Sequence, residues 1–364
     1  MDKLLFLGNW GKKKYSAWSG TIPGLYRGLQ EYFVVERLDI RTKIPLLVSF
    51  RCLEKLGLGR FDTLYLKYYN RKFSRTYKEL ENCKILQFEE CASYQWAKAY
   101  IYQDLSIGYL LDIYENRPEL IQYCGIENLT KRYLKKRVKS QRLFYQNASG
   151  IFTMGKWLAD YIIEHEHISP DKVHAVGGGV NVDVDRIDYS EKKGNKVLFV
   201  GRDFIRKGGD LVIEAFRILK TQMPEAELYI AGPKKNPVDV NAEQEGIFYL
   251  GEQNREQLIH LFNQCDIFCM PSRFEAYGLS FIEALTYGLP CVARNAFSMR
   301  EMIEDGKTGY LVENDDAEIL AEKMLCALRN QQMRDIVRQN KEFYIKEYSW
   351  EAVTRRIADI IARE

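Results

Sequence analysis

No stretch of this 364-residue chain approaches the ~20 consecutive apolar residues that a membrane-spanning helix needs. The opening run Leu4-Leu5-Phe6-Leu7 is too short for a signal-peptide core, so a cytoplasmic location is expected. No two cysteines have C-x-x-C spacing. The eight present, Cys52, Cys83, Cys91, Cys124, Cys265, Cys269, Cys291 and Cys326, are scattered through hydrophobic segments and read as reduced core residues, which argues against a disulfide framework and a zinc site. No zinc-finger, basic-zipper or RNA-recognition signature occurs, so nucleic acid is not an expected partner. Internal repeats and low-complexity segments are also missing.

What is present is a composition of 46% hydrophobic and 28% charged residues, enough for two ordinary domains with full cores and unlike a disordered or fibrous chain. The net charge of +3 is unevenly divided: residues 1–182 carry 28 Lys and Arg against 19 Asp and Glu, and residues 183–364 carry 25 against 31. A basic first half suits an anionic membrane surface or a phosphorylated substrate.

Short β-type runs alternate with helical patterns, as in parallel sheets covered by helices. Strands are expected at Lys3–Gly8, Phe33–Ile40, Lys84–Phe88, Tyr100–Gln103, Ile151–Thr153 and Val173–Val176. A second set is expected at Val197–Val200, Glu227–Ala231, Ile247–Leu250, Ile267–Met270, Cys291–Ala293 and Gly309–Val312, with helices near 209–221, 255–264, 279–287 and 316–329. Asn254 with Gln257 and Asp315 with Glu318 are spaced like N-cap pairs. The polar stretch Asp183–Lys196 lacks an apolar face and reads as a linker. The expected architecture is α/β, two doubly wound Rossmann-like domains with an interdomain cleft, one at 1–182 and one at 183–348, with a C-terminal helix at about 349–364 packing back on the first.

Two segments of the second half carry chemistry. Glu275-Ala276-Tyr277-Gly278-Leu279-Ser280-Phe281-Ile282-Glu283-Ala284-Leu285 follows a strand ending in Met270-Pro271-Ser272. A helix opening near Leu279 after a glycine loop offers free amides and a positive dipole end to a phosphate. Glu283 sits in an otherwise apolar helix, where a carboxylate needs partners such as sugar or ribose hydroxyls; the alternative is that Glu283 faces solvent and Glu275 is a loop charge. Gly201-Arg202-Asp203-Phe204-Ile205-Arg206-Lys207-Gly208-Gly209 sets two to three cations on a strand-to-helix loop, suited to a diphosphate, or else to a solvated basic turn.

Arg202 and Lys207 with four residues between them, Glu275 and Glu283 with seven between them, Gly288-Leu289-Pro290, and Asp305-Gly306-Lys307-Thr308-Gly309-Tyr310-Leu311-Val312 together resemble the nucleotide-sugar half of the retaining glycosyltransferases of family 4, which have the GT-B fold. The resemblance is strong from about 196 to 330. It implies that Arg202 and Lys207 hold a donor diphosphate, Glu283 the ribose hydroxyls and Glu275 the donor sugar. The amides around Gly278, Leu279 and Ser280 would cover the distal phosphate, and the backbone near Gln253 would lie against the base.

In the first half, Trp18-Ser19-Gly20-Thr21 resembles the family's glycine loop, which closes over the donor and meets the acceptor and so implies a donor-binding role for Gly20; the ordinary alternative for Gly20 is a turn glycine. Ala148–Met154, Lys156–Asp160 and Lys172–Asp183 resemble its strand, helix and exit segment. Asp104 stands where many relatives have a histidine, so it is either a catalytic-site residue or a cap of the helix Ser106–Tyr114.

Leu129–Tyr145 places Lys131, Lys135, Lys139 and Arg142 on one face with Arg132 and Lys136 beside it. Such a face is either plain solvated surface or a contact for anionic lipid or a lipid-diphosphate acceptor; Lys12-Lys13-Lys14 fits both. His165 and His167, two apart on a helix, face different ways and suggest no metal site.

The resemblance implies a retaining, metal-independent hexosyltransferase. It would use a nucleoside-diphosphate sugar, UDP in preference to GDP, and need no cofactor beyond this donor. The acceptor would be a glycan or lipid-linked hydroxyl in cell-surface polysaccharide or glycolipid assembly, with the enzyme cytoplasmic or peripheral on the inner face of the plasma membrane. Two other readings stand beside it: an idle sugar-nucleotide binder, and a dinucleotide-dependent oxidoreductase. The latter needs G-x-G-x-x-G between strand and helix, a spacing that Gly8-Asn9-Trp10-Gly11 and Gly177-Gly178-Gly179 lack.

Overall fold

A computed structural model describes residues 1–8, 10, 20–39, 48–49, 52, 68, 83–89, 98–190, 194–237 and 243–363. Lys12-Lys13-Lys14, Trp18, Ser19 and Cys91 lie outside them. The chain divides into two compact units. One comprises Met1–Glu115, Leu129–Gly179 and Trp350–Glu364, the other Asn116–Asn128 and Val180–Ser349.

Unit one contains β1 (Lys3–Gly8), α1 (Thr21–Leu29), β2 (Val34–Asp39), β3 (Lys84–Phe88), β4 (Lys98–Gln103), α2 (Ile107–Asn116), α3 (Lys131–Asn147), β5 (Gly150–Thr153), α4 (Lys156–Glu164) and β6 (Val173–Ala175). The strands pair in parallel in the order β2-β1-β3-β4-β5-β6. Helices on both faces explain why the central strands read as near-continuous apolar runs: Leu4, Leu5, Phe6, Ile85, Leu86, Tyr100, Ile101, Tyr102 and Phe152 are all fully buried. β2, at the sheet edge, keeps charged residues within its run.

Unit two contains β7 (Lys196–Val200), α5 (Gly209–Lys220), β8 (Glu227–Ala231), β9 (Ile247–Gly251), α6 (Arg255–Gln264), β10 (Ile267–Met270), α7 (Leu279–Thr286), β11 (Cys291–Arg294), α8 (Met299–Met302), β12 (Gly309–Val312) and α9 (Ala317–Arg329), with helices Gln331–Gln339 and Lys341–Glu347 after them. Its parallel sheet runs β12-β11-β10-β7-β8-β9. Both units therefore have the doubly wound α/β form expected from the alternating patterns.

Several local expectations need correction. Asn254 and Gln257 do form a reciprocal capping box at α6, but the cap of α9 is Asp316, whose Oδ1 accepts from the amides of Glu318 and Ile319 at 3.0 Å each. Asp315 is turned away from that helix by two arginines, Arg273 and Arg294. At α2 the amide of Tyr109 donates to Ser106 Oγ at 3.1 Å, so Ser106 takes the capping position considered for Asp104, and the helix starts at Ile107. The cysteines are not uniformly core residues: Cys265, Cys269 and Cys291 are buried, Cys83, Cys124 and Cys326 only partly so, and Cys52 is exposed.

The C-terminal helix Trp350–Ala362 packs on α1 through glycine. A Cβ built on Gly24 or on Gly179 would fall 2.3 Å from atoms of the Trp350 indole, closer than any real contact, so the ring fills the space that both glycines leave. Gly179→Ala should lower the unfolding free energy by about 1–3 kcal/mol, the usual cost of overpacking, as read from urea denaturation. An unchanged midpoint would contradict this packing.

Candidate active site

In unit two the chain leaves β7 toward β8 and β9, then resumes at β10 and proceeds to β11 and β12 on the other side. β7 and β10 are neighbours, in register at Val197 with Ile267 and Leu198 with Phe268. The loops that follow them therefore lie side by side at the carboxyl edge, the switch point at which open α/β sheets bind ligands. These are the two loops whose residues carried the sequence resemblance.

The first loop, 201–208, is wound tightly. Lys207 N donates to the Asp203 carbonyl at 3.0 Å, Gly208 N to Ile205 at 3.1 Å and Gly209 N to Phe204 at 2.8 Å. Gly208 has φ 75° and ψ 24° and precedes α5 in the left-handed region, which glycine enters without steric cost. Gly201 has a different role: a Cβ there would lie 2.5 Å from Lys207 Cδ, so its bare backbone lets the lysine stem cross toward β10. The ammonium ends 3.0 Å from Glu275 Oε2 and 3.5 Å from Met270 Sδ.

Glu275 belongs to the second loop, 271–278, and has a second cation, Arg206, whose Nη1 is 3.4 Å from the same oxygen. Burial pushes the Glu275 carboxyl up, but Lys207 and Arg206 more than offset this and hold it below the ordinary carboxylate range. The two loops are also stitched together by backbone. Arg273 N donates to the Arg206 carbonyl at 2.9 Å and Arg206 Nη1 to the Phe274 carbonyl at 2.7 Å. The Arg273 guanidinium grips Asp210 at 2.7 and 2.8 Å, Asp315 at 2.6 Å, and the Ile205 carbonyl. Two-point carboxylate binding of this kind fixes orientation as well as distance.

Gly278, with φ 83° and ψ 58°, opens α7. A Cβ there would meet Phe281 at 2.8 Å and Glu275 Cγ at 3.1 Å, so the glycine lets the helix start close to the carboxylate. The amides of Leu279 and Ser280 fall in the first turn, outside the intrahelical ladder. One turn further on, Glu283 is half-buried, rather than solvent-facing, and its side chain has no hydrogen bond or ion pair among the described residues. Burial draws its carboxyl up to about 7, with the Lys207 and Arg255 charges pulling against the rise.

The structure thus gathers Lys207, Glu275, Gly278, Leu279, Ser280 and Glu283 around one loop-and-helix corner. Arg202 is not drawn in as tightly: its side chain is 83% exposed and its nearest ion-pair partner is Glu252 at 3.8 Å. Gln253, half-buried after β9, donates to the Leu250 carbonyl. Arg206, which the sequence reading counted among the loop cations without a role, is the second partner of Glu275. The β7 loop is accordingly not a solvated basic turn.

Gly20 and Asp104 belong to unit one and stand at the carboxyl edge of its own sheet. Gly20 precedes α1 with φ 89°, a left-handed conformation that explains the glycine. Asp104 is half-buried just beyond β4. Beside it the sequence reading missed Glu89, the residue directly after β3, with φ 57° and its amide donating to the Tyr102 carbonyl at 2.9 Å. Burial, and then the negative charge of Asp104, pushes the Glu89 carboxyl up to about 8. A carboxylate immediately past a buried parallel strand was the signal available for it.

Comparison with known proteins bears on this geometry. Residues 183–343 match the family described as Glycosyl transferases group 1, a span that includes every site residue named above for unit two. An uncharacterized 41.2 kDa protein in the cps region of Klebsiella pneumoniae is 32% identical over 166 residues, 43% of this chain and 46% of that protein. A phosphatidyl-myo-inositol mannosyltransferase of Mycolicibacterium smegmatis is 28% identical over 203 residues, 53% of this chain and 52% of its own. The chain thus spans about half the length of these curated relatives. The crystal structure of WaaG, a glycosyltransferase involved in lipopolysaccharide biosynthesis, superposes with a TM-score of 0.67 at 17% identity, covering 99% of this chain and 100% of WaaG. The fold is the GT-B fold. In this GT-B chain the matched family segment coincides with the unit that holds the cationic loop and Glu275.

The raised Glu283 carboxyl has a consequence for stability. Between the ordinary value of 4.5 and about 7, the folded protein binds more protons than the unfolded chain, so stability falls as pH rises through that window. Glu283→Gln removes the effect. The difference in melting temperature between variant and wild type should therefore grow in favour of the variant from pH 5 to pH 8, and a pH-independent difference would contradict the assignment.

Proposed function

We propose that this protein is a retaining glycosyltransferase of family 4 that moves a sugar from a nucleoside-diphosphate sugar to an acceptor hydroxyl. The observation that carries the reading is the Lys207–Glu275 ion pair, 3.0 Å long, beside the opening of α7 at the switch point of unit two. A cation, a helix amino end and a fixed carboxylate there suit a diphosphate with a sugar attached.

In this reading the anomeric carbon–oxygen bond to the distal phosphate breaks and the electron pair leaves with the nucleoside diphosphate. Lys207 and the Leu279 and Ser280 amides stabilise the charge that grows there, with exposed Arg202 moving onto the diphosphate. These cations supply the countercharge for which other transferases use a metal. The acceptor oxygen attacks from the same face, and its proton passes to an oxygen of the departing phosphate. Glu275, bound by two cations and held ionised, makes a poor nucleophile for a covalent intermediate, which favours same-face attack and assigns Glu275 to the donor sugar. Glu283 receives the ribose hydroxyls, and Gln253 lies against a base for which uracil is the first choice. On unit one, we assign Gly20, whose bare backbone admits a phosphate, to donor binding and Asp104 to a catalytic role.

We assign the acceptor to glycans or lipid-linked sugars of the cell surface. α3 contributes to that assignment: Tyr133, Leu134, Val138, Phe144 and Tyr145 are buried beneath it, while Arg132, Lys136, Lys139 and the apolar Leu143 are exposed. Lys131 and Lys135 are partly spoken for, at 3.0 and 3.5 Å from Glu115. Among the described residues no helix is long and apolar enough to cross a membrane; the attachment we propose is through the exposed cations of α3, from the cytoplasmic side.

Incubation with a panel of nucleotide sugars should show thermal stabilisation and release of nucleoside diphosphate, and Lys207→Ala should lower turnover roughly tenfold or more. Stabilisation by NAD(P)H alone would favour the oxidoreductase reading instead, and binding without turnover would favour the idle binder. For α3, flotation with anionic liposomes should fall when Arg132, Lys136 and Lys139 are neutralised; flotation indifferent to those changes would remove the membrane assignment.

A further inference from the structure

Two cations meet one carboxylate at the switch point of unit two, and they are not equivalent. Arg206 is fixed on three sides: Nη1 donates to the Phe274 carbonyl at 2.7 Å and lies 3.4 Å from Glu275 Oε2, while Nε donates to Asp203 at 2.9 Å. A planar guanidinium with these bonds cannot turn toward a new anion without losing them. Lys207 is a point charge with three donors on a flexible stem, and its described contacts are Glu275 and a weakly accepting sulfur.

Charge counting gives this asymmetry a function. Glu275 is enclosed, with 15% of its side chain exposed, so it needs a countercharge nearby. Were Lys207 the sole cation, the lysine and glutamate would form a neutral pair, and an arriving diphosphate would meet little net attraction. Asp203, at the other edge of Arg206, is 58% exposed and its charge is largely screened by water. The guanidinium charge therefore acts mainly on Glu275.

We propose that Arg206 is a positioning residue for the donor site: it neutralises and orients Glu275 so that the charge of Lys207 is left over for the donor diphosphate. The inference rests on the donor-site reading above and adds to it a division of labour between adjacent cations. Arg206 makes no contact with the donor and acts through Glu275.

The test is isothermal titration of the purified full-length protein with UDP, GDP and ADP, with thermal unfolding of each variant as a folding control. Arg206→Gln should weaken binding of the preferred nucleotide roughly tenfold, the scale of one charged hydrogen bond. Glu275→Gln on that background should restore it to within about threefold of wild type, because no carboxylate then competes for Lys207. Arg206→Lys, which keeps the charge, should bind nearly as wild type does. A purely scaffolding role through the Phe274 carbonyl predicts no rescue by Glu275→Gln, and that outcome overturns the proposal, as does Arg206→Gln binding like wild type. If wild type takes up none of the three nucleotides, the donor-site reading itself fails and this assignment with it; if wild type binds and the rescue is absent, only the assignment fails.

Discussion

The site in unit two depends on an enclosed carboxylate that must be neutralised where it stands. Glu275 is held by Lys207 and Arg206 from the loop after β7, while it belongs to the loop after β10. Removing both cations would leave an uncompensated charge in a protein interior, so the ion pairs fix the separation of the two loops. Arg273 repeats the arrangement one layer further out, tying its loop to Asp210 and to the Ile205 carbonyl. The glycines follow from the crowding this creates. Gly201 gives way to the lysine stem, Gly208 to the Pro271 carbonyl and Gly278 to Phe281 and Glu275. Gly208 sits where the two loops meet, and Gly278 where the second loop meets α7.

Two glutamates eight positions apart share the Lys207 charge and end with opposite tendencies. Glu275 gains direct cation contacts and stays ionised; Glu283 feels Lys207 and Arg255 at longer range, and burial prevails. Environments that push like groups apart are the usual way a site assigns them different tasks. In the proposed reaction the ionised member takes a fixed electrostatic role beside the leaving group. The other suits a partner that brings hydroxyl donors, because donation to the carboxylate lowers the cost of ionising it.

Much of this was legible in the sequence, for a physical reason: parallel strands buried on both faces leave apolar runs, and strand-to-helix loops must begin where those runs stop. Gly201 through Gly209 and Glu275 through Glu283 could thus be placed at one edge of a sheet from the residue pattern alone. The one-residue slip from Asp315 to Asp316 at α9 shows the limit. Both aspartates can cap, and the choice is made by Arg273, from the loop after β10, and by Arg294, at the end of β11. Arg206 was lost for a related reason, since three cations within six residues look alike until one of them is seen to be tied to the Phe274 carbonyl. Glu89 was missed because its meaning depends on the aspartate beyond the neighbouring strand.

Unit one is harder to read because, among the described residues near Asp104, its scaffold works through buried polar groups. Around Asp104, Gln103 donates to Tyr145 Oη at 2.6 Å, Ser106 Oγ to Glu166 Oε1 at 2.8 Å, and Ile107 N to Gln141 Oε1 at 2.7 Å. Gln103, Ser106, Gln141 and Glu166 are all nearly inaccessible to solvent, and burial raises the Glu166 carboxyl above the ordinary range. A Cβ on Gly108 would lie 2.4 Å from Glu166 Oε1, so this carboxyl is packed directly against the first turn of α2. Buried hydrogen bonds of this sort are costly to leave half-made, and three of them within five residues hold the turn from β4 into α2 in one conformation. The position of Asp104 is therefore imposed by its neighbours, and so no pattern in its own residue type could announce it.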